Sequence, residues 1–379
     1  MCLASFPLRA AIAFSVALLA GCASTELSTC DRTQLAYVGT DGGGVQALRF
    51  DACTGMLSSL GIMAKLTKPR WSVANPVRPI LYVADDVAGQ DGRVVAFAVD
   101  HATGALTQLS ETDSGGLGTT HLWLDAPSST LIAANFLSGS ATSLPLSADG
   151  RVADVASTVT ETGSGPTKRQ AKAHAHGIAI DPTGRFAIVS DFGADGIFIY
   201  DFDRSTHALV SRGMSRAPAF AAEPGSGPHH SVFSLDGHYV YVLNELTANV
   251  ISLRWDRKTA RLTPVQTQAI SSLDFKGPKS GAELALGRDG RFIYVADRGE
   301  NAIVVFRASP TSGELALVQR LPSGGDKPWG FAIDPAGRWM LVANSTKVSE
   351  FRIDQASGLL TDTGNAVESA TPLSISFVP

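Results

Sequence analysis

The stretch Asp181-Pro-Thr-Gly-Arg-Phe-Ala-Ile-Val-Ser-Asp191 decides how the rest of this 379-residue chain is read. It joins a turn, with a glycine able to take positive φ, to a run of aromatic and β-branched residues that suits a strand. It returns as Asn75-Pro-Val-Arg-Pro-Ile-Leu-Tyr-Val-Ala-Asp85 and as Ala126-Pro-Ser-Ser-Thr-Leu-Ile-Ala-Ala-Asn135. Three later copies end at Asn244, Asp297 and Asn344, and a truncated copy, Leu35-Ala-Tyr-Val-Gly-Thr40, opens the series. The copies therefore end at residues 40, 85, 135, 191, 244, 297 and 344, at intervals of 45, 50, 56, 53, 53 and 47 residues. Short strands at that period predict an all-β fold, a seven-bladed β-propeller of four-stranded antiparallel blades.

Each unit reads as four strands. A short apolar run such as Gly177-Ile-Ala-Ile180 leads into the turn, and the repeated run is the second strand. A third strand such as Gly196-Ile-Phe-Ile-Tyr-Asp-Phe-Asp203 follows, and an x-x-Gly-x-Leu stretch (Thr103-Gly-Ala-Leu106, Ser312-Gly-Glu-Leu315) precedes the outer strand. One such sheet cannot bury both faces alone, so the units must stack radially around a shared core. The last unit shows no fourth strand of its own kind before Pro372-Leu-Ser-Ile-Ser-Phe377. That tail is expected to pair with residues 33–38 and close the ring, which removes an exposed edge. The propeller is read as one domain over residues 33–379, behind a short linker at 23–32.

Charged residues make up 17% of the chain and glycines number 37, as suits a turn-rich β protein. A net charge of −4 gives no nucleic-acid footprint, and a monomer is expected. Residues 1–22 stand apart: Arg9, an apolar run over 10–20, and Leu19-Ala-Gly-Cys22, which resembles a bacterial lipoprotein cleavage box. The run is too short to span a bilayer. Lipidation of Cys22 is expected, with a plain secretory signal as the rival reading. Ala23 in place of an aspartate points to the outer membrane. The chain would then sit in the bacterial cell envelope, on its periplasmic face, touching the membrane through the lipid only. Loss of Cys2 and lipidation of Cys22 leave Cys30 and Cys53, a pair suited to a disulfide in an oxidising compartment, with two free thiols as the alternative.

Antiparallel order brings the start of every first strand and the end of every second strand to one mouth of the central channel. The first set is Arg70-Trp71, His121, His174-Ala-His176, His229-His230, Glu283 and Trp329. The second includes Asp85-Asp86, Asn135, Asp191, Asn244-Glu245, Asp297-Arg298 and Asn344. Five of the eight histidines fall there, which favours a functional mouth. Asp85, Asn135, Asp191 and Asn344 suit turn caps, whereas Glu245 and Arg298 sit one residue further on, where side chains reach the channel. Trp71 and Trp329 suit packing. His174 alternates with His176, as a metal pair would. No HExxH, CxxC or carboxylate cluster accompanies them, so no metal and no cofactor is expected. Lys168, Arg169 and Lys172 read as a solvated loop, and no Gly-x-Ser-x-Gly elbow is present.

At these residues the chain resembles the seven-bladed lactonase family, whose named activity is 6-phosphogluconolactonase. The resemblance covers roughly residues 33–378 and is carried by Ala173-His-Ala-His-Gly-Ile-Ala-Ile-Asp-Pro-Thr-Gly-Arg-Phe186, Gly225-Ser-Gly-Pro-His-His230, Val242-Leu-Asn-Glu-Leu246 and Gly281-Ala-Glu-Leu284. It implies metal-free hydrolysis of a small-molecule lactone by His, Glu and Arg side chains. Carried onto this sequence, His176 would be the base, Arg298 and His230 would stabilise the oxyanion, and Glu245 or Glu283 would orient an imidazole. His121, His174, His229, Asp191 and Trp329 would contact substrate. Two positions depart from the family pattern: Ala285 replaces a polar His or Arg, and Trp329 stands where an Arg is usual. With the envelope address, they favour a non-phosphorylated or exogenous lactone, or a non-catalytic binding module of the cell envelope.

Overall fold

In a computed structural model the described residues are Met1, 33–212 and 217–379, and Asp31–Pro379 forms one compact unit. Its strands make seven antiparallel sheets, each a blade. Blade 1 takes Thr33–Thr40, Gly44–Asp51 and Leu57–Lys65. Blades 2 to 7 begin at Pro69–Ala74, Thr119–Asp125, Ala175–Ile180, Pro228–Phe233, Gly281–Leu286 and Gly330–Ile333. Six of the seven second strands end at the residue read from the repeat, and the seventh, Trp339–Ala343, ends one residue short. Blade 4 carries one addition, Phe220–Ala221 pairing with Gly196–Asp203.

Closure uses the expected partners. The C-terminal strand Pro372–Val378 is the innermost strand of blade 1 and pairs with Thr33–Thr40, Leu35 facing Val378 and Val38 facing Ile375. The last blade, however, does have its own fourth strand, Leu360–Glu368. Most of its side chains are exposed, so the sequence lacks the apolar signal that marks inner strands, and backbone pairing with Lys347–Ile353 holds it.

Second strands such as Phe186–Asp191 and Phe292–Asp297 are buried at every position, because each is packed by neighbouring blades on both faces. The apolar core is accordingly divided into seven clusters, each shared by two adjacent blades; Phe186 and Ile188 meet Val240 and Val242, for example. Buried tyrosines tie blades together: Tyr37, Tyr239 and Tyr294 donate to the carbonyls of Gly104, Thr311 and Gly358 in the next blade. The x-x-Gly-x-Leu motif supplies those turns. Gly313 and Gly358 have φ of +75°, and a Cβ on either would strike the aromatic ring of the preceding blade.

Candidate active site

Six of the seven first strands carry the same irregularity. Pro69 faces Asp85 and Trp71 faces Ala84, which leaves Arg70 as a bulge. The same step singles out Thr120, His176, His229, Ala282 and Leu373. In blade 7 Trp329 stands in this place, its N–H donating to the Ala343 carbonyl at 2.9 Å ahead of Gly330. A bulge sets two residues against one and re-aims a side chain. The six bulged residues and Trp329 give one side chain per blade at the mouth, and all seven line a cavity of about 250 Å³. A second ring comes from residues just past the second strands, of which Phe136, Glu245 and Arg298 line the same cavity.

Glu245 is the electrostatic centre. Its buried carboxylate accepts from Arg169 at 2.8 Å, lies 3.1 Å from an Arg298 nitrogen and 3.7 Å from His229 Nε2. Arg298 also donates to Ser280 Oγ at 3.0 and 2.9 Å, and its guanidinium lies 4.1 Å from the Trp329 ring centre. Stacking and paired hydrogen bonds suit a planar guanidinium, so Arg298 is held in one pose. Burial lowers its affinity for a proton, and the Glu245 carboxylate opposes that trend.

Histidines fill the floor. The His176 and His229 rings lie 3.6 Å apart, those of His229 and His230 4.4 Å, and His176 and His230 5.3 Å. Beneath them His121 and Trp71 pack against His230 at 4.8 and 5.1 Å. His230 Nδ1 lies 3.0 Å from Glu283 Oε1, and that oxygen also accepts from the Leu284 amide at 2.8 Å. Gly177 makes this packing possible, because a Cβ there would approach His230 Cδ2 to 2.8 Å and Cα to 3.0 Å. Burial holds His121, His176 and His229 well below the usual histidine range, and the charges of neighbouring histidines and, for His176 and His229, arginines add to the effect. They are therefore neutral imidazoles near pH 7. Three buried ring nitrogens, His176 Nδ1, His229 Nδ1 and His230 Nε2, have no hydrogen-bond partner among the described residues.

Of the residues named from the sequence, His176, His229, His230, Glu245, Arg298 and Trp329 converge on this cavity, and Glu283 stands behind His230. His121 belongs to the floor rather than the mouth. Three expectations fail: His174 beside His176, Asp191 as a substrate contact rather than a turn cap, and Arg169 as merely solvated. His174 does not share the face of His176, because the bulge turns His176 away; its ring stacks on Phe136 at 4.4 Å and its Nδ1 lies 2.8 Å from the Phe136 carbonyl. Asp191 is fully buried, and its Oδ1 accepts from the His174 and Ala194 amides, so it caps a turn and is absent from the cavity lining. Arg169, read as part of a solvated loop, binds Glu245 and lies 4.6 Å from the Phe192 ring. Ala285 packs among apolar residues of blades 6 and 7. Phe136, Thr120, Ala282 and Leu373 were not anticipated. The position of Phe136, one past Asn135, is the repeat equivalent of Glu245 and Arg298, so the signal was present. Cys53 is disulfide-bonded, whereas Cys30, Cys22 and the leader lie outside the described residues.

Residues 28–377 match the family model described as lactonase, 7-bladed beta-propeller. A 6-phosphogluconolactonase of Bacillus subtilis is 30% identical over 350 residues, spanning 91% of this chain and 98% of its own. One from Formosa agariphila is 28% identical over 325 residues, 84% of this chain and 91% of its own. Among solved structures, the periplasmic gluconolactonase of Pseudomonas aeruginosa is 30% identical with a TM-score of 0.83, covering 92% of this chain and 99% of its own.

Proposed function

The chain belongs to the seven-bladed β-propeller lactonase family, and from that membership we propose that it hydrolyses a sugar lactone without a phosphate at the histidine-lined mouth. The observation that carries the mechanism is the contact between His230 and Glu283. An ionised carboxylate only accepts hydrogen bonds, so Nδ1–H of His230 donates to Glu283 and Nε2 keeps its lone pair. That tautomer fits His230 to take a proton from water rather than to donate to an oxyanion, the role its sequence suggested. Glu283 then stabilises the imidazolium as it forms. His176, the base expected from sequence, makes no ion pair with a carboxylate among the described residues, so nothing comparable compensates the charge it would gain.

As water adds to the carbonyl carbon, negative charge develops on the carbonyl oxygen. Arg298, fixed by Ser280, Glu245 and the Trp329 face, is the preorganised donor for it. The ring C–O bond then breaks, and the proton held on His230 passes to the departing alkoxide. Neutral His176 and His229 flank the site and suit hydrogen bonding to sugar hydroxyls.

Charge supports the absence of phosphate. Arg70, Arg169 and Arg298 at the mouth face Asp86 and Glu245, leaving one excess positive charge, too little for a phosphate dianion. The gluconolactonase relative is periplasmic by name, and the leader with Cys22 supports a lipid-anchored, periplasmic address for this chain as well. A concave mouth lined by arginines, histidines and Glu245 weighs against an envelope module that merely docks a protein. The test is turnover of glucono-, 6-phosphoglucono-, aliphatic and aromatic lactones above their spontaneous rates. Gluconolactone is expected to lead; a folded protein inert on all four would overturn the proposal.

A further inference from the structure

One nitrogen from each of His176, His229 and His230 lies within 4.8 Å of the other two. From this we infer that the floor of the mouth is a binding site for one divalent transition-metal ion of the zinc class, held by the three imidazoles. No sequence motif announces it, because the ligands come from bulged or adjacent positions on the first strands of two blades.

Three observations carry the inference, beside the general suitability of imidazole for zinc and its neighbours. The three nitrogens that lack partners, His176 Nδ1, His229 Nδ1 and His230 Nε2, are buried, so each is destabilising unless something bonds to it. A ligating histidine usually gives its other nitrogen to a carboxylate, which fixes ring and tautomer. His230 has that partner in Glu283 at 3.0 Å, whereas His229 Nε2 lies 3.7 Å from Glu245, an ion-pair distance beyond hydrogen-bond reach. Finally, the three rings open onto a cavity, leaving the fourth coordination position for water.

Tetrahedral zinc holds imidazole nitrogens at about 2.0–2.1 Å, which puts them roughly 3.4 Å from one another. The cradle, 4.8 Å at its widest, must therefore contract by up to about 1.4 Å, through χ rotations of His176 and His229. Arg298 lies close by and opposes the cation, while Glu245 and Glu283 favour it. The consequence for activity rests on the lactonase reading: metal on His230 Nε2 occupies the proposed base, so zinc suppresses turnover instead of supporting it.

The test is a cobalt(II) titration of the tag-free full chain after treatment with a chelator, followed by visible absorption and by displacement with zinc. One equivalent of tetrahedral cobalt is expected, with affinity at least tenfold weaker in His229→Gln and in His230→Gln. His238→Gln, which alters an exposed histidine, leaves it unchanged. No tetrahedral spectrum, or a spectrum that survives both cradle substitutions, overturns the metal site. His230-dependent hydrolysis without cobalt binding sinks the metal inference alone. Cobalt binding by a chain that turns over no lactone upholds the site and sinks the hydrolase reading.

Discussion

Changing Glu283 to glutamine tests the catalytic assignment most sharply, because the side chain keeps its shape and loses only its charge. Glu283 lies 3.0 Å from His230 Nδ1, and both residues are buried. With charge centres about 4 Å apart and an effective permittivity of about 20, carboxylate and imidazolium attract by about 4 kcal/mol. Where half of that charge has developed at the transition state, its loss raises the barrier by about 2 kcal/mol and lowers kcat roughly 30-fold. Glu283 is separated from the cavity lining by His230, so KM should hardly move. The assay is gluconolactone hydrolysis followed by acid release, with the spontaneous rate subtracted and a thermal melt run beside it. An unchanged kcat in a folded variant would refute the dyad. A rise in KM at constant kcat would make Glu283 a binding residue instead.

Stability should fall with acid. His121 and His229 titrate below the usual histidine range when folded, so the unfolded chain binds protons first. Their contribution is full above about pH 6.5 and is lost as pH drops, by up to about 1.4 kcal/mol per pH unit for each ring. Denaturant melts from pH 7.5 to 5.5 read this; His121→Gln should flatten the curve, and an identical slope would contradict it. Removing residues 372–379 strips the inner strand from blade 1 and uncovers Ala36, Val38 and Leu48, so no cooperative melt is expected; one matching the parent would count against closure by this strand. Gly177→Ala pushes a methyl against the His229 carbonyl oxygen and into His230, and should cut kcat more than tenfold. Gly42→Ala, whose Cβ meets only Thr40 Oγ1 at 4.0 Å, should not; equal effects would dissociate packing at Gly177 from the chemistry.

The blades were legible because second strands are buried on both faces, and burial writes long aromatic and β-branched runs such as Phe292–Asp297. Outer strands face water on one side, which is why Leu360–Glu368 was missed. Which end of the channel holds the histidines also followed from strand order alone. The roles did not. Spacing put His174 and His176 on one face, but a bulge invisible to period-two counting turned only His176 into the mouth. The contacts of Arg169 with Glu245 and of Glu283 with His230 join residues 76 and 53 positions apart, beyond any local pattern.

The most direct measurement is the rate of gluconolactone hydrolysis by the parent chain, His230→Ala and His176→Ala under identical conditions. The account predicts clear turnover above the spontaneous rate for the parent, near-complete loss in His230→Ala and a smaller loss in His176→Ala. Full activity in His230→Ala, with a collapse in His176→Ala, would return the base to His176 and contradict the assignment made from the Glu283 contact.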